Sequence, residues 1–467
     1  MNSQDAYLDF LARKRIVDPS TGMEHVGDLP DFLKEHQRDL VRWALRRGRA
    51  AIFAGTGLGK TACELVWSNR VADHTHMPVI IFAPLAVSSQ HIREAQKFGL
   101  RAKLAKSQSD ITDNSVYVTN LQKMDHFDLS KFGGVAIDES SCLKSCDSFY
   151  RNRLIEECSD IPFRLAATAT PAPNDYVELG NHAEFLGVMR YTDMLATFFT
   201  HDGGETQKWI LKSHAENDFW RWMSSWSVML RKPSDLGYDD AGYDLPPLRQ
   251  VQHTAAVAYA PSIESGLLFP MQATTLQERV GARRASVKDR VALAASITPT
   301  DRQFVWWCNL NAESEALVKA IPGAVETKGS DSDEVKERKI LDFIEGRTRV
   351  LVTKSNVCGF GLNLQCCCDT GFVGLNDSFE QIYQAVRRFW RFGQTKPVTA
   401  HFIAAESEGA VVANLRRKEI DAERMAAGMV IHTASISSEL IRGMTRDRPD
   451  YNPDQPMKIP SWLEEAA

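Results

Sequence analysis

Nowhere does the 467-residue chain approach the roughly 18 uninterrupted apolar residues that a membrane-spanning helix needs. The opening Met1-Asn2-Ser3-Gln4-Asp5 lacks the basic flank and apolar core of a secretory signal. Among the nine cysteines there is no C-x-x-C pair, which argues against zinc, because tetrahedral thiolate sites favour close cysteine spacings in duplicate. An odd cysteine count in a long chain suits free thiols in a reducing cytosol, packed as small apolar residues. A basic excess is missing too. Lys and Arg number 55 against 60 Asp and Glu, leaving a net charge of −5 and no global field that attracts nucleic acid. Phosphate contacts would then depend on a local groove or on backbone N–H groups.

What the chain does contain is 43% apolar and 25% charged residues, over a length suited to two or three domains. From 49 to 175, short apolar runs at Ala50–Phe53, Val79–Phe82, Val116–Thr119, Val135–Asp138 and Arg164–Ala167 alternate with small-residue turns and helical periods. This pattern predicts buried parallel strands in βαβ units. The rhythm returns at Phe304–Trp307, Val350–Val352, Gly371–Gly374 and Ala400–Ile403. The expected fold class is therefore α/β, with two parallel sheets flanked by helices. Between them, 205–230 reads as helical. Its Trp209, Trp220, Trp222 and Trp226 read as the core of a helical insertion rather than as a base-stacking platform. A Gly-, Pro- and Asp-rich loop from Pro233 to Pro247 is a hinge candidate. Two helices are expected near 409–427 and 436–444, then a proline-containing tail.

The run Ala54-Gly55-Thr56-Gly57-Leu58-Gly59-Lys60-Thr61 follows a predicted strand and opens a predicted helix. In that context successive backbone N–H groups form an anion cradle at a helix N-terminus. Lys60 would reach the β- and γ-phosphates of a nucleotide, and the Thr61 hydroxyl would ligate Mg²⁺. An acidic pair completes such a site. Asp138-Glu139 ends the predicted strand Val135–Asp138, where carboxylates are costly unless they face a cation or a polar cleft. Asp138 is the candidate metal ligand, and Glu139 the candidate base for the attacking water.

Phosphoryl transfer also gains from a cation aimed at the γ-phosphate, and the second half supplies arginines in Gln384-Ala385-Val386-Arg387-Arg388-Phe389-Trp390-Arg391-Phe392-Gly393-Gln394. Arg388 and Arg391 are three apart, so on a helix they would share a face and reach one target. The nearby Gly359-Phe360-Gly361-Leu362-Asn363-Leu364 is a tight turn after a strand that would bring backbone close to a ligand. Basic runs at Arg42–Arg49, Arg347–Arg349 and Arg416–Lys418 read mainly as solvated faces.

Taken together, these residues resemble the DEAD/DEAH-box helicases of superfamily 2, most closely the Swi/Snf-type branch of DNA-dependent ATPases. The resemblance spans about 30–405. Gln37 matches the adenine-reading glutamine, and the loop matches the family's Ala-x-x-Gly-x-Gly-Lys-Thr form. Phe82-Ala83-Pro84 and Thr119-Asn120 resemble strand-gripping motifs. Asp138-Glu139-Ser140-Ser141, with Leu143-Lys144, stands at the acidic motif, and Thr168-Ala169-Thr170-Pro171 at the motif linking hydrolysis to domain movement. Met229-Leu230-Arg231-Lys232, Leu245-Pro246-Pro247, Gly329-Ser330, Gly359–Leu364 and Gln384–Gln394 follow in the family's order. The chain departs from the pattern at Ser141 and Trp390, both common histidine positions, and its insertions are short.

The resemblance implies two RecA-like P-loop domains closing on ATP and Mg²⁺. The site would draw on Gly55, Thr56, Gly57, Leu58, Gly59, Lys60 and Thr61, with Asp138 and Glu139, Gly361 and Asn363, and Arg388 and Arg391. It further implies coupling through Thr168, Thr170 and Gln384, and DNA contacts at Pro84, Thr119, Asn120 and Ser355. The expected partition is a lead-in over 1–35, a first RecA-like domain over 36–185, and a helical insertion and linker over 186–295. A second RecA-like domain over 296–410 and C-terminal helices and tail over 411–467 complete it. The expected activity is an ATP-dependent DNA helicase or translocase of a stand-alone prokaryotic or phage kind, tracking duplex DNA in bacterial or phage-infected cytoplasm, without zinc or membrane. An RNA-dependent ATPase is the alternative, and a non-motor ATP-binding interaction module is the rival from another class.

Overall fold

The computed structural model describes residues 20–143, 149–172, 175–202, 205–256, 283–355, 363–375, 379–405 and 409–442. Strands β1 (Arg49–Ala54), β2 (Val79–Phe82), β3 (Lys103–Leu104), β4 (Val116–Thr119), β5 (Gly134–Asp138) and β6 (Phe163–Thr168) build most of a first sheet. A short hairpin, β7 (Phe199–Asp202) and β8 (Glu205–Leu211), precedes β9 (Ser227–Leu230), which joins that sheet at its edge. The order is β3-β4-β2-β5-β6-β1-β9, and every neighbouring pair is parallel. Parallel pairing needs a crossover between strands, and the helices Lys60–Thr75, Leu85–Lys97 and Phe149–Glu157 supply three of them.

A second sheet contains β10 (Leu248–Ala255), β11 (Phe304–Cys308), β12 (Ala324–Glu326), β13 (Val350–Lys354), β14 (Asp369–Val373) and β15 (Val398–Ala405). Its order is β10-β15-β14-β11-β13-β12, again all parallel. The architecture is thus the expected pair of parallel sheets flanked by helices, the two-domain RecA-like α/β class. Both faces of each sheet are covered, as the uninterrupted apolar runs require. Phe53, Phe82 and Ile137 point to one face of the first sheet, while Ile52, Ile81 and Ala136 point to the other with Trp67. In the second sheet Val305 and Trp307 face one way, Phe304 and Trp306 the other.

Three expectations about elements are corrected. The helix expected over 205–230 is confined to Glu216–Trp226, because β8 takes the residues before it and β9 those after it. Ser227–Leu230 pairs with Ala51–Ala54, so a sheet edge decides its conformation over local periodicity. The two helices expected after 408 are one, Gly409–Arg442. Its weak helix formers around Gly428 and Thr433 stay helical because Met429 and Ile441 are buried in the first sheet's two cores. The Thr433 hydroxyl also donates back to the Met429 carbonyl at 2.7 Å. Nor are all the cysteines buried. Cys63, Cys158, Cys308 and Cys367 are, but Cys142 and Cys366 are exposed. None of the described helices is long and apolar enough to cross a membrane.

The tryptophans are core residues. Trp220 and Trp226 are buried, and Trp209 and Trp222 pack against the same cluster. Trp226 stands edge-on to Phe53 of β1 at 6.1 Å. Trp226→Ala is therefore expected to destabilise the fold by about 3–5 kcal/mol in urea unfolding. A loss under about 1 kcal/mol would contradict the core assignment.

Candidate functional site

Because every strand of the first sheet runs the same way, the loops that follow them gather along one edge. The loop after β1 is the glycine-rich run. Gly57 and Gly59 have φ of +89° and +82°, where L side chains are disfavoured. A Cβ on Gly59 would also lie 2.2 Å from Gln37 Nε2. That glutamine, buried in the helix Glu35–Arg47, clamps the loop from below. Its Nε2 donates to the Leu58 carbonyl at 2.9 Å, and its Oε1 accepts from the Lys34 N–H at 2.9 Å. One amide hydrogen and one lone pair remain for a ligand. Lys60 Nζ donates to the Ala54 carbonyl at 2.8 Å, and Thr61 opens the helix Lys60–Thr75 beside it.

β5 delivers the acidic pair. Asp138 is buried, and Glu139 adopts φ of +56°, a left-handed conformation held only where the surroundings impose it. β6 lies between β1 and β5 and brings Thr168, whose Oγ1 donates to Glu139 Oε2 at 3.3 Å and accepts from the Thr170 N–H at 3.1 Å. Burial raises the pKa of Asp138, and the charge of Glu64 raises it further, against His91 and Lys60. Burial likewise raises Glu139, opposed first by Lys60 and also by Arg388.

Arg388 belongs to the second half, so the two halves meet at the acidic pair. The expected helical face for Arg388 and Arg391 is corrected: the helix Phe379–Val386 ends before both. The Arg388 N–H bonds Ala385 rather than a residue four back, and the Arg388 carbonyl accepts from the Leu364 N–H at 3.1 Å. Gln394 Nε2 then donates to the Phe389 carbonyl at 3.2 Å, closing a compact turn. The two arginines nonetheless stay close enough for the charge of Arg391 to act on Arg388. Arg388 is buried beside Glu139, whereas the carboxylate that acts on Arg391 is Glu94. Burial lowers Arg388 to about 10, which leaves it cationic at neutral pH.

Asn363 is exposed, caps the Gln365 N–H, and sits next to the Leu364–Arg388 bond; Gly361 and Lys144 lie outside the described residues. Gln384 is buried in the last turn of its helix. Pro84 is half-buried at the edge of the first sheet, and Ser355 half-buried after β13 in the second. Thr119 and Asn120 are 3% and 5% exposed at the end of β4.

Contacts around the loop that the sequence does not give complete the site. Phe392 leans over Gly57, where a Cβ would lie 2.9 Å from the phenylalanine's N and Cβ. Its ring lies 4.9 Å from that of Tyr243, in the Pro233–Pro247 loop, and Lys34 Nζ stands over both. Trp390 Nε1 donates to the Pro246 carbonyl at 2.6 Å, pinning the same loop from the second half. Glu64 and His91, behind Asp138, were also missed. The available signal was an acidic residue at a buried position one turn beyond Thr61.

No family model and no curated protein matches the chain. Among solved structures it is similar to the Sulfolobus solfataricus SWI2/SNF2 ATPase core in complex with dsDNA. The identity is 17% and the TM-score 0.40, over 88% of this chain and 96% of that one.

Next to the acidic motif, His182 Nε2 meets Ser140 Oγ at 3.2 Å in a fully buried position, and burial lowers the histidine from 6.5 to about 4. The unfolded chain takes up this proton near pH 6.5 and the folded chain only near pH 4. The stability it contributes is complete above pH 6.5 and lost as pH falls to 4, on the order of 3 kcal/mol. Urea midpoints followed across that window should drop less in His182→Gln than in the wild type. An identical drop would remove His182 from the account.

Proposed function

We infer that the chain is a nucleic-acid-dependent ATPase, and within that class a DNA translocase of the Swi/Snf type. One observation carries the reading: Lys60, the Asp138–Glu139 pair and Arg388 converge on one cleft although they come from two different sheets. A structural nucleotide site needs the lysine and the loop. It does not need a half-buried carboxylate in a left-handed conformation opposed by an arginine from across the cleft.

The residues suit a nucleotide and its metal. Gly57 and Gly59 give the loop the positive-φ backbone of an anion cradle, and a threonine hydroxyl with a buried carboxylate is a hard donor set fit for Mg²⁺. Thr61 and Asp138 would hold the ion, which supplies charge neutralisation at the β- and γ-phosphates. Lys60 would bind the same phosphates from the loop side. Glu139, made more basic by burial, would orient the attacking water and accept its proton as the new P–O bond forms and the bond to ADP breaks. Arg388 would stabilise the charge on the transferring group, and Gln37 would read the base edge. Since Arg388 belongs to the other half, turnover requires closure, and closure shifts one sheet relative to the other. The branch-specific run ending Arg391-Phe392-Gly393-Gln394 supports DNA, and duplex DNA, as the track.

The test is steady-state ATP hydrolysis without nucleic acid and with single-stranded DNA, duplex DNA or RNA, with Lys60→Ala as the control. Duplex DNA should stimulate most strongly, and the control should abolish the signal. Stimulation by RNA alone would replace DNA with RNA, and no hydrolysis at all would sink the assignment. Arg388→Ala should lower turnover roughly 10³–10⁵-fold while nucleotide binding survives. Wild-type turnover in that variant would remove Arg388 from the mechanism.

A further inference from the structure

Behind the acidic pair the core holds two carboxylates and an imidazole, an arrangement the proposed chemistry does not by itself require. Glu64 lies in the helix Lys60–Thr75, His91 in the helix Leu85–Lys97, and Asp138 at the end of β5. They are 1%, 0% and 7% exposed, and their ligand atoms all lie within 4.8 Å of one another. His91 Nδ1 is 3.1 Å from the Val87 carbonyl, which can only accept, so Nδ1 carries a hydrogen. His91 Nε2 faces Glu64 Oε2 at 3.3 Å and Asp138 Oδ2 at 3.5 Å. Nε2 thus hydrogen-bonds Glu64, and Asp138 Oδ2 stands beside that bond at ion-pair distance.

We propose that Glu64 and His91 form a positioning dyad that fixes the orientation of Asp138 toward the metal. The assignment rests on the nucleotide-hydrolysis reading of the site. Each member has a definite task. His91 engages Asp138 through Oδ2, which leaves the other carboxylate oxygen, Oδ1, for the ion. Glu64 holds His91 in turn, from the helix that begins with Lys60 and Thr61. The hydroxyl and the carboxylate that would share the ion are thereby tied through one imidazole. Without His91, Glu64 and Asp138 would face each other as like charges in the core, and Asp138 would turn away or take up a proton. Either change spoils a metal ligand, which is how partners behind a ligand tune affinity elsewhere.

Replacing His91 alone would strand Glu64, so the informative variants change both residues. Glu64→Leu/His91→Leu removes the hydrogen bond without leaving Glu64 as a buried unpaired charge. Glu64→Gln/His91→Gln keeps an amide donor for Asp138. The probe is Mn²⁺, followed by its paramagnetic resonance in the complex with a non-hydrolysable ATP analogue. Analogue binding in chelator and the melting temperature are measured alongside. The leucine pair should bind Mn²⁺ about 10–100-fold more weakly while binding the analogue in chelator as the wild type does. The glutamine pair should recover most of that loss. If the leucine pair fails to fold, Glu64→Met/His91→Ala, which has no donor at either position, carries the same expectation. Wild-type Mn²⁺ affinity in a folded variant lacking the donor overturns the dyad and leaves the ATPase reading intact. So does an equal loss of analogue binding in chelator. A wild-type chain that hydrolyses no ATP and holds no Mn²⁺ with the analogue overturns both.

Discussion

Asp138 and Glu139 end a strand that is otherwise apolar, so their charge has to be met by groups brought in from elsewhere in the chain. Lys60 comes from the loop after β1, His91 from a helix following β2, Thr168 from the end of β6 and Arg388 from the second sheet's side of the cleft. Parallel topology makes this possible, because it collects strand ends that are far apart in sequence along one edge. The cleft between the sheets is therefore organised by charge compensation as much as by apolar contact. The strain at Glu139 belongs to the same constraint: φ of +56° turns that residue away from the path a continuing strand would take.

Much of this was legible in the sequence, for a physical reason. Buried parallel strands must be apolar on both faces, and Ala50–Phe53, Val79–Phe82 and Phe304–Trp307 announce themselves by composition alone. The glycine-rich loop was legible because glycine at 57 and 59 is imposed by backbone conformation, which leaves a mark in the sequence wherever it occurs. What stayed hidden depends on tertiary partners. Ser227–Leu230 has no strong pattern of its own and becomes a strand because β1 offers it an edge. Arg388 and Arg391 look helical from their spacing, but hydrogen bonds from Leu364 and Gln394, one upstream and one downstream, turn the chain before them. The burial of Thr119 and Asn120 is likewise a property that residue type does not encode.

Glu64 and His91 show a different kind of limit. Each is unremarkable in the sequence, one acid among 60 Asp and Glu and one histidine among 12. Only their common burial behind Asp138 makes them a unit, and that depends on how two helices cross one strand. A sequence pattern finds the residues that touch a ligand more readily than those that hold them in place.

The helix Gly409–Arg442 ties the two sheets by a different route. Near one end Glu419 accepts a hydrogen bond of 2.7 Å from Gln250 on β10 of the second sheet. Farther along, Met429 and Ile441 are sunk in the first sheet's cores, and His432 stacks on Trp220. At 34 residues it measures about 50 Å, longer than the width of either sheet. Such a rod acts as an outrigger on the pair of sheets. Sliding one sheet against the other must therefore flex this helix or release the Gln250–Glu419 bond.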